Sequence, residues 1–220
     1  MVRNNVVIPD DVLLEIFDFC MITAHPLASN GFRGGDEAWK SLVHVCRRWR
    51  NLVFGSPRSL NLQPFCTPGT RTKDLLDVWP ALPLIIYADD MDFSSFTGMD
   101  NIIAALGQSN RARQIFFQRL AGWQLEEVLA GAMRAPFPEL TDLLLTSNDD
   151  SPPVITDSFL DGSAPRLQYF RLYSIPFPGL PKLLLSATHL VKLSLSRIQS
   201  PFRIHLTRSD GRSPLRVVQP

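Results

Sequence analysis

Ile8-Pro9-Asp10-Asp11-Val12-Leu13-Leu14-Glu15-Ile16-Phe17, joined further on by Val45-Cys46-Arg47-Arg48-Trp49-Arg50-Asn51-Leu52, is the stretch on which the reading of the fold turns. Taken as a helix from Val12 to Cys20, the apolar residues Val12, Leu13, Leu14, Ile16, Phe17, Phe19 and Cys20 cover roughly 220° of its circumference. Only Asp11, Glu15 and Asp18 share the remaining arc. A helix resting on one core needs an apolar stripe of only about 100°, so this one has surface left over for a second contact. Pro9, tolerated in a first helical turn, and Asp10 and Asp11, which complement its positive end, suit a helix start.

A second helical run begins near Asp36, with Ala38, Leu42, Val45, Cys46, Trp49, Leu52 and Val53 at three-four spacing. A break near His44 to Cys46 would make it two helices. Gly55, at a C-cap, and Ser56-Pro57, which cannot continue a helix, supply the stop. A unit of about fifty such residues buries too little surface to be comfortable alone. Its excess apolar area predicts a partner.

Val7 to Leu62 thereby resembles an F-box, a three-helix unit of about this length with a Leu-Pro opening and a Val-Cys-Arg-x-Trp element in its last helix. The resemblance, to F-box proteins of the fungal type, implies that Ile8, Pro9, Leu13, Ile16, Phe17, Val45, Cys46 and Trp49 form or support the surface that grips a Skp-type adaptor, which binds a cullin in turn. Two features depart from the family pattern. Ile8 stands where Leu is usual, and Ile22 to Gly35 is longer than the usual link; its His25-Pro26, Asn30-Gly31 and Gly34-Gly35 read as a solvent loop.

At 220 residues, 45% hydrophobic and 20% charged, the chain suffices for one sizeable domain and a small one. A net charge of +1 gives no reason to expect nucleic acid or an anionic membrane as partner. Cys20, Cys46 and Cys66 lie far apart without C-x-x-C spacing and read as reduced, buried residues of an intracellular protein, cytoplasmic or nuclear. Neither a signal peptide nor a bilayer-spanning apolar run is legible.

Leu60-Asn61-Leu62-Gln63 alternates like a strand, Pro64 to Arg71 reads as a loop, and Trp79-Pro80-Ala81-Leu82-Pro83 leads into a second strand over Leu84 to Tyr87. Three segments then carry an L-x-x-L-x-L rhythm: Leu140, Leu143 and Leu145; Leu167, Phe170 and Leu172; Leu190, Leu193 and Leu195. Ala112, Ile115 and Phe117 form a fainter copy. First positions 112, 140, 167 and 190 are separated by 28, 27 and 23 residues, a period that resembles leucine-rich repeats. Return segments follow: Gln124 to Met133 as a helix ended by Pro136-Phe137-Pro138, and shorter ones at Asp157 to Leu160 and Leu180 to Leu185. Since one strand and one return segment cannot bury a core, neighbours are expected to stack into a solenoid.

Side chains alternate along a strand, so inward Leu143 and Leu145 leave Asp142, Leu144 and Thr146 on the opposite, concave face. The same rule selects Gln114, Phe116 and Gln118, then Tyr169, Arg171 and Tyr173, then Lys192, Ser194 and Ser196. Tyr and Arg are frequent interface anchors. Phe116, Asp142, Leu144, Tyr169, Arg171, Tyr173 and Lys192 are therefore the expected target-binding residues.

Catalytic and metal motifs are missing from the sequence. His25, His44, His189 and His205 show no H-x-x-x-H or E-x-x-H spacing. Asp90-x-Asp92-x-Ser94 opens like a calcium loop, but Ser95 replaces its Gly and Asn101 its terminal Glu, so it reads as an acidic turn. No G-x-S-x-G, P-loop or G-x-G-x-x-G is present. Arg47, Arg48, Arg50 and Arg58 fall mostly opposite Trp49 and Leu52, on a solvated face. No cofactor and no metal is expected.

The expected fold is α+β: an F-box over residues 1–62 with an inserted loop at 22–35, a short irregular α/β leucine-rich-repeat-like solenoid over 63–198, and an irregular tail or truncated last repeat over 199–220. The resemblance implies a non-catalytic substrate receptor of an SCF-type cullin-RING ubiquitin ligase with an unknown protein target. The alternative is a scaffold that binds the same adaptor and assembles partners without ubiquitin transfer.

Overall fold

The computed structural model describes residues 8–23, 38–56, 60, 62–78, 82–93, 97–176 and 182–198. Most of the expected 22–35 insert, Trp79 to Ala81, Leu180 and Pro181, His25, His205 and the 199–220 tail lie outside them. The chain divides into two compact units, Met1–Pro64 and Phe65–Pro220. Among the described residues it is a mixed α/β protein with seven α-helices and a six-stranded parallel sheet.

The first unit holds α1 (Asp10–Thr23), α2 (Ala38–Val45) and α3 (Arg47–Gly55). Asp10 and Asp11 occupy the first turn of α1, and the Pro9 carbonyl accepts from the Leu13 N–H at 3.1 Å, closing that turn. The break near Cys46 falls on Cys46 itself. Its backbone is extended (φ −159°, ψ 168°), while its carbonyl accepts from the Arg50 N–H at 3.0 Å and so begins α3. The three helices pack on one another around buried Leu13, Phe17, Val43 and Val53. The Trp49 ring meets Phe17 edge-on, centroids 4.7 Å apart at 60°.

The second unit alternates strand and α-helix except between β4 and β5: β1 (Phe65–Cys66), α4 (Thr72–Val78), β2 (Leu84–Asp89), α5 (Gly98–Leu106), β3 (Ala112–Leu120), α6 (Gly122–Ala130), β4 (Asp142–Ser147), β5 (Tyr169–Tyr173), α7 (Lys182–Ser186) and β6 (Lys192–Ser196). The strands pair in sequence order, each with the one before it. Inward residues of one parity, among them Ile86 and Ala88, Ile115 and Phe117, Leu143 and Leu145, Phe170 and Leu172, and Leu193, share a single core with Ile102 and Leu106 of α5, Leu125 and Val128 of α6, and Leu183 of α7. These helices therefore cover one face of the sheet only.

The expected rhythm has a backbone counterpart that begins earlier than its leucines. The Leu140, Leu167 and Leu190 N–H groups donate to the carbonyls of Phe137, Ala164 and Ala187 at 3.3, 3.1 and 3.2 Å, a turn made three times from a buried residue three positions upstream. The next bonds also recur: Thr141 N–H to Arg113, Gln168 N–H to Thr141 and Val191 N–H to Gln168, each to the carbonyl and each 2.8 Å. Past the strand centres, Arg119, Ser174 and Arg197 share left-handed backbone, φ 54°, 57° and 52°.

Several local expectations are corrected. Leu60 lies in a turn, and Leu62 and Gln63 belong to neither helix nor strand; the first strand is Phe65–Cys66, inside the stretch read as loop. Helices α4 and α5 were not expected. The helix at Gln124 to Met133 starts at Gly122, where buried Gln124 accepts from the Ala121 N–H at 2.8 Å, and ends at Ala130 before a 3-10 turn at Ala132–Arg134. Asp157 to Leu160 contributes only a 3-10 turn, Phe159–Gly162.

Cys20 and Cys46 are exposed and only Cys66 is buried, which corrects the expectation for the first two. Burial pushes the Cys66 thiol up to about 11 against a smaller opposing pull from Arg111. At about pH 8 a thiol reagent should titrate Cys20 and Cys46 at once and Cys66 only after denaturation, because the thiolate is the reactive form. A third fast thiol in the folded protein would contradict this placement.

Candidate functional site

Two surfaces stand out, one on each unit. On the first, α1 sorts its apolar residues by depth. Leu13 and Phe17, one turn apart, are buried, while Val12, Ile16 and Phe19 face solvent with Phe19 69% exposed. Ile8, Val45 and Phe54 are exposed as well, Val45 at 59%. Of the eight residues expected to form or support an adaptor surface, Ile8, Pro9, Ile16, Val45 and Cys46 are exposed, Trp49 is half-buried, and Leu13 and Phe17 are buried. Val12, Phe19 and Phe54 are also exposed apolar residues of this unit and were not among them. Val12 and Phe19 were legible in the 220° arc; Phe54 follows Val53 at the end of α3, where periodicity gives no direction.

Polar contacts fix the rim of this unit. Arg48 Nε donates to Asp10 Oδ1 at 3.0 Å, joining the starts of α3 and α1, and Arg50 Nε donates to the Val43 carbonyl at 3.0 Å across the α2–α3 break. Arg47, Arg48 and Arg50 are exposed as expected; Arg58 lies outside the described residues.

On the second unit the sheet face opposite the helices carries the expected ladder in register. One rung runs Ile85, Gln114, Asp142, Tyr169, Lys192; the next runs Tyr87, Phe116, Leu144, Arg171, Ser194. Thr146, Tyr173 and Ser196 align in a third, while Gln118 pairs with Asp89 beside an irregularity between β3 and β4. Tyr169 and Lys192 are exposed, and Asp142, Leu144, Arg171 and Tyr173 are half-buried. Phe116 is the correction: at 2% exposure it offers almost no surface. It sits mid-rung between Tyr87 and Leu144, so its ring fills the row instead of topping it.

At the β2 end the face is acidic and internally paired. Asp89, 5% exposed, accepts from Arg119 Nη2 at 2.6 Å and Nε at 3.3 Å, and from the Met91 N–H at 3.3 Å. The hydrogen bond to Asp89 holds the Arg119 guanidinium even more firmly protonated than usual. Burial, then the charges of Asp89 and Asp92, pushes the Tyr87 hydroxyl up to about 12, and its ring stacks on Phe65 at 5.9 Å. Asp90 and Asp92 form a 3-10 turn that starts at Asp89, a compact acidic turn as expected. Among the described residues no group of three or more His, Cys, Asp or Glu is placed to hold a metal ion, and no helix is long and apolar enough to cross a membrane.

Compared with models of protein families, with curated proteins and with solved structures, the chain matches none. What these surfaces do rests on their own chemistry.

Proposed function

We propose that the chain is a non-catalytic substrate receptor of an SCF-type ubiquitin ligase, its first unit an F-box that docks on a Skp-type adaptor and its second a leucine-rich-repeat-like solenoid that holds a protein target. The observation that carries the reading is the double use of α1: a buried Leu13–Phe17 seam inside and an equally apolar Val12, Ile16 and Phe19 face outside, joined in exposure by Val45. Val12, Ile16 and Phe19 share one side of α1 by helical spacing, and an exposed apolar face on so small a unit marks an interaction surface. The sequential parallel strands, the turn repeated before β4, β5 and β6, and the shared left-handed position after the strand centres support the solenoid reading. The mechanism is proximity: adaptor and target held by one chain raise the target's effective concentration at the ubiquitin carrier.

The test is capture of the chain by a purified Skp-type adaptor. Wild type should bind, and the exposed-site variants Ile16→Glu and Val45→Glu should each weaken capture by about tenfold or more while unfolding as wild type does, since each puts a charge into an apolar contact. Trp49→Ala should lose about 2 kcal/mol or more through contact or fold. Absence of capture by wild type rejects the F-box reading; full capture by both glutamate variants rejects this face as the docking surface.

A further inference from the structure

The charges on the helix-free face are not evenly spread. The acids Asp89, Asp90 and Asp92 cluster at the end of β2, where Arg119 pairs with Asp89. At the other side, β5 and β6 read YFRLY and KLSLS, without an acid, and present Arg171 and Lys192 from neighbouring strands. Arg197, just past β6, stacks its guanidinium over the Tyr173 ring, 5.1 Å from the centroid. None of these three cations is ion-paired among the described residues. The acid nearest in register, Asp142 on β4, already accepts from Thr141 Oγ1 at 2.8 Å and Gln114 Nε2 at 3.4 Å.

Arg171 gives this patch its direction. Its Nε is buried and finds no hydrogen-bond partner among the described residues. With Nε covered and unbonded, the Nη edge of the guanidinium is the part a surface ligand meets, and that edge is shaped to take a carboxylate through two parallel bonds. Lys192 lies on the next strand, directly opposite Tyr169 and diagonal to Arg171, a neighbour at about 7–8 Å. Two unpaired cations held this close repel one another until an anion comes between them. Tyr169 and Tyr173 flank the fork on the same strand and supply flat apolar contact beside it.

We propose that the β5–β6 end of this face binds an acidic peptide segment of a partner protein, with one side-chain carboxylate on Arg171, a second on Lys192 or Arg197, and intervening apolar side chains against Tyr169 and Tyr173. The inference deepens the target-holding half of the proposed function and rests on it. It assigns the chemistry of what is held.

Fluorescence anisotropy on the full chain tests it, with a fluorescein-labelled peptide of alternating glutamate and leucine and the matching lysine-leucine peptide. The acidic peptide should bind, more weakly as salt rises, and the basic one should not. Arg171→Gln and Lys192→Gln should each weaken binding by about tenfold, and Arg166→Gln, whose guanidinium pairs with Glu139 at an exposed site, should leave it unchanged. Lys192 is exposed, so its variant reports binding even if Arg171→Gln impairs folding. No binding of the acidic peptide, equal binding of both peptides, or wild-type binding by Lys192→Gln overturns the proposal. Adaptor capture on the same preparation separates the two readings: capture with no peptide binding rejects this inference alone, and peptide binding with no capture rejects the ligase role alone.

Discussion

Truncating Phe17 to alanine should destabilise the first unit by about 3–5 kcal/mol, the range for removing a buried phenylalanine. Phe17 is fully buried, sits one turn from buried Leu13 and carries the Trp49 ring on its edge, so the change empties the point where α1 and α3 meet. A domain of this size commands only about 3–10 kcal/mol in all, so the loss is comparable with its entire stability. Loss of the unit's helical signal at growth temperature, in far-ultraviolet circular dichroism, is the expected result. Phe19→Ala is the internal control: the residue is of the same kind two positions on, but 69% exposed, and its removal should stay within about 0.5 kcal/mol. Equal effects of the two would show that α1 is rotated from the placement described above.

Phe170→Ala should have an effect of similar size on the second unit, about 3–5 kcal/mol. Its ring, from the second residue of β5, is fully buried, in register with Leu143 on one side and Leu193 on the other, within the core shared with the helices. For a unit of this length that corresponds to a fall of the melting temperature on the order of 10 °C. Tyr169→Ala, one residue earlier and on the opposite face, should leave the melting temperature nearly unchanged. Differential scanning calorimetry distinguishes them, and a large effect at Tyr169 with none at Phe170 would reverse the assignment of the two faces.

That assignment was legible because period-two alternation is set by backbone geometry: once Leu143 and Leu145 pack inward, Asp142, Leu144 and Thr146 have only the other face. Depth was not legible. Alternation places Phe116 on the same face as Arg171, but only the strands beside it decide that Phe116 is covered. The repeated turn was half visible, since its leucines were found while its upstream residues Phe137, Ala164 and Ala187 share no single residue type. The left-handed positions Arg119, Ser174 and Arg197 gave no signal because none is glycine, the residue that ordinarily marks such a conformation. Helix α5 hid for a related reason: it opens on Gly98, whose added Cβ would press on Phe93 and Pro68 at 3.1 Å, so a residue that reads as a loop marks a close packing contact instead.

On the first unit, the surplus of apolar residues on α1 was readable and so was the break at Cys46. Which apolar residues face inward was not. An arc of roughly 220° contains both a core stripe and an exposed stripe, and only the positions of α2 and α3 choose between them.

The order of the sheet also bears on how the chain comes off the ribosome. From β2 onward each strand hydrogen-bonds to its immediate predecessor, so once β1 and β2 have paired no later strand must wait for a segment still to be translated. A doubly wound sheet, in which central strands are completed by later ones, lacks that property. Here β2 can close on β1, and β3 on β2, while Leu193 is still inside the exit tunnel. Growth by addition to a finished edge leaves one growing strand at a time, with β1 as the fixed opposite edge.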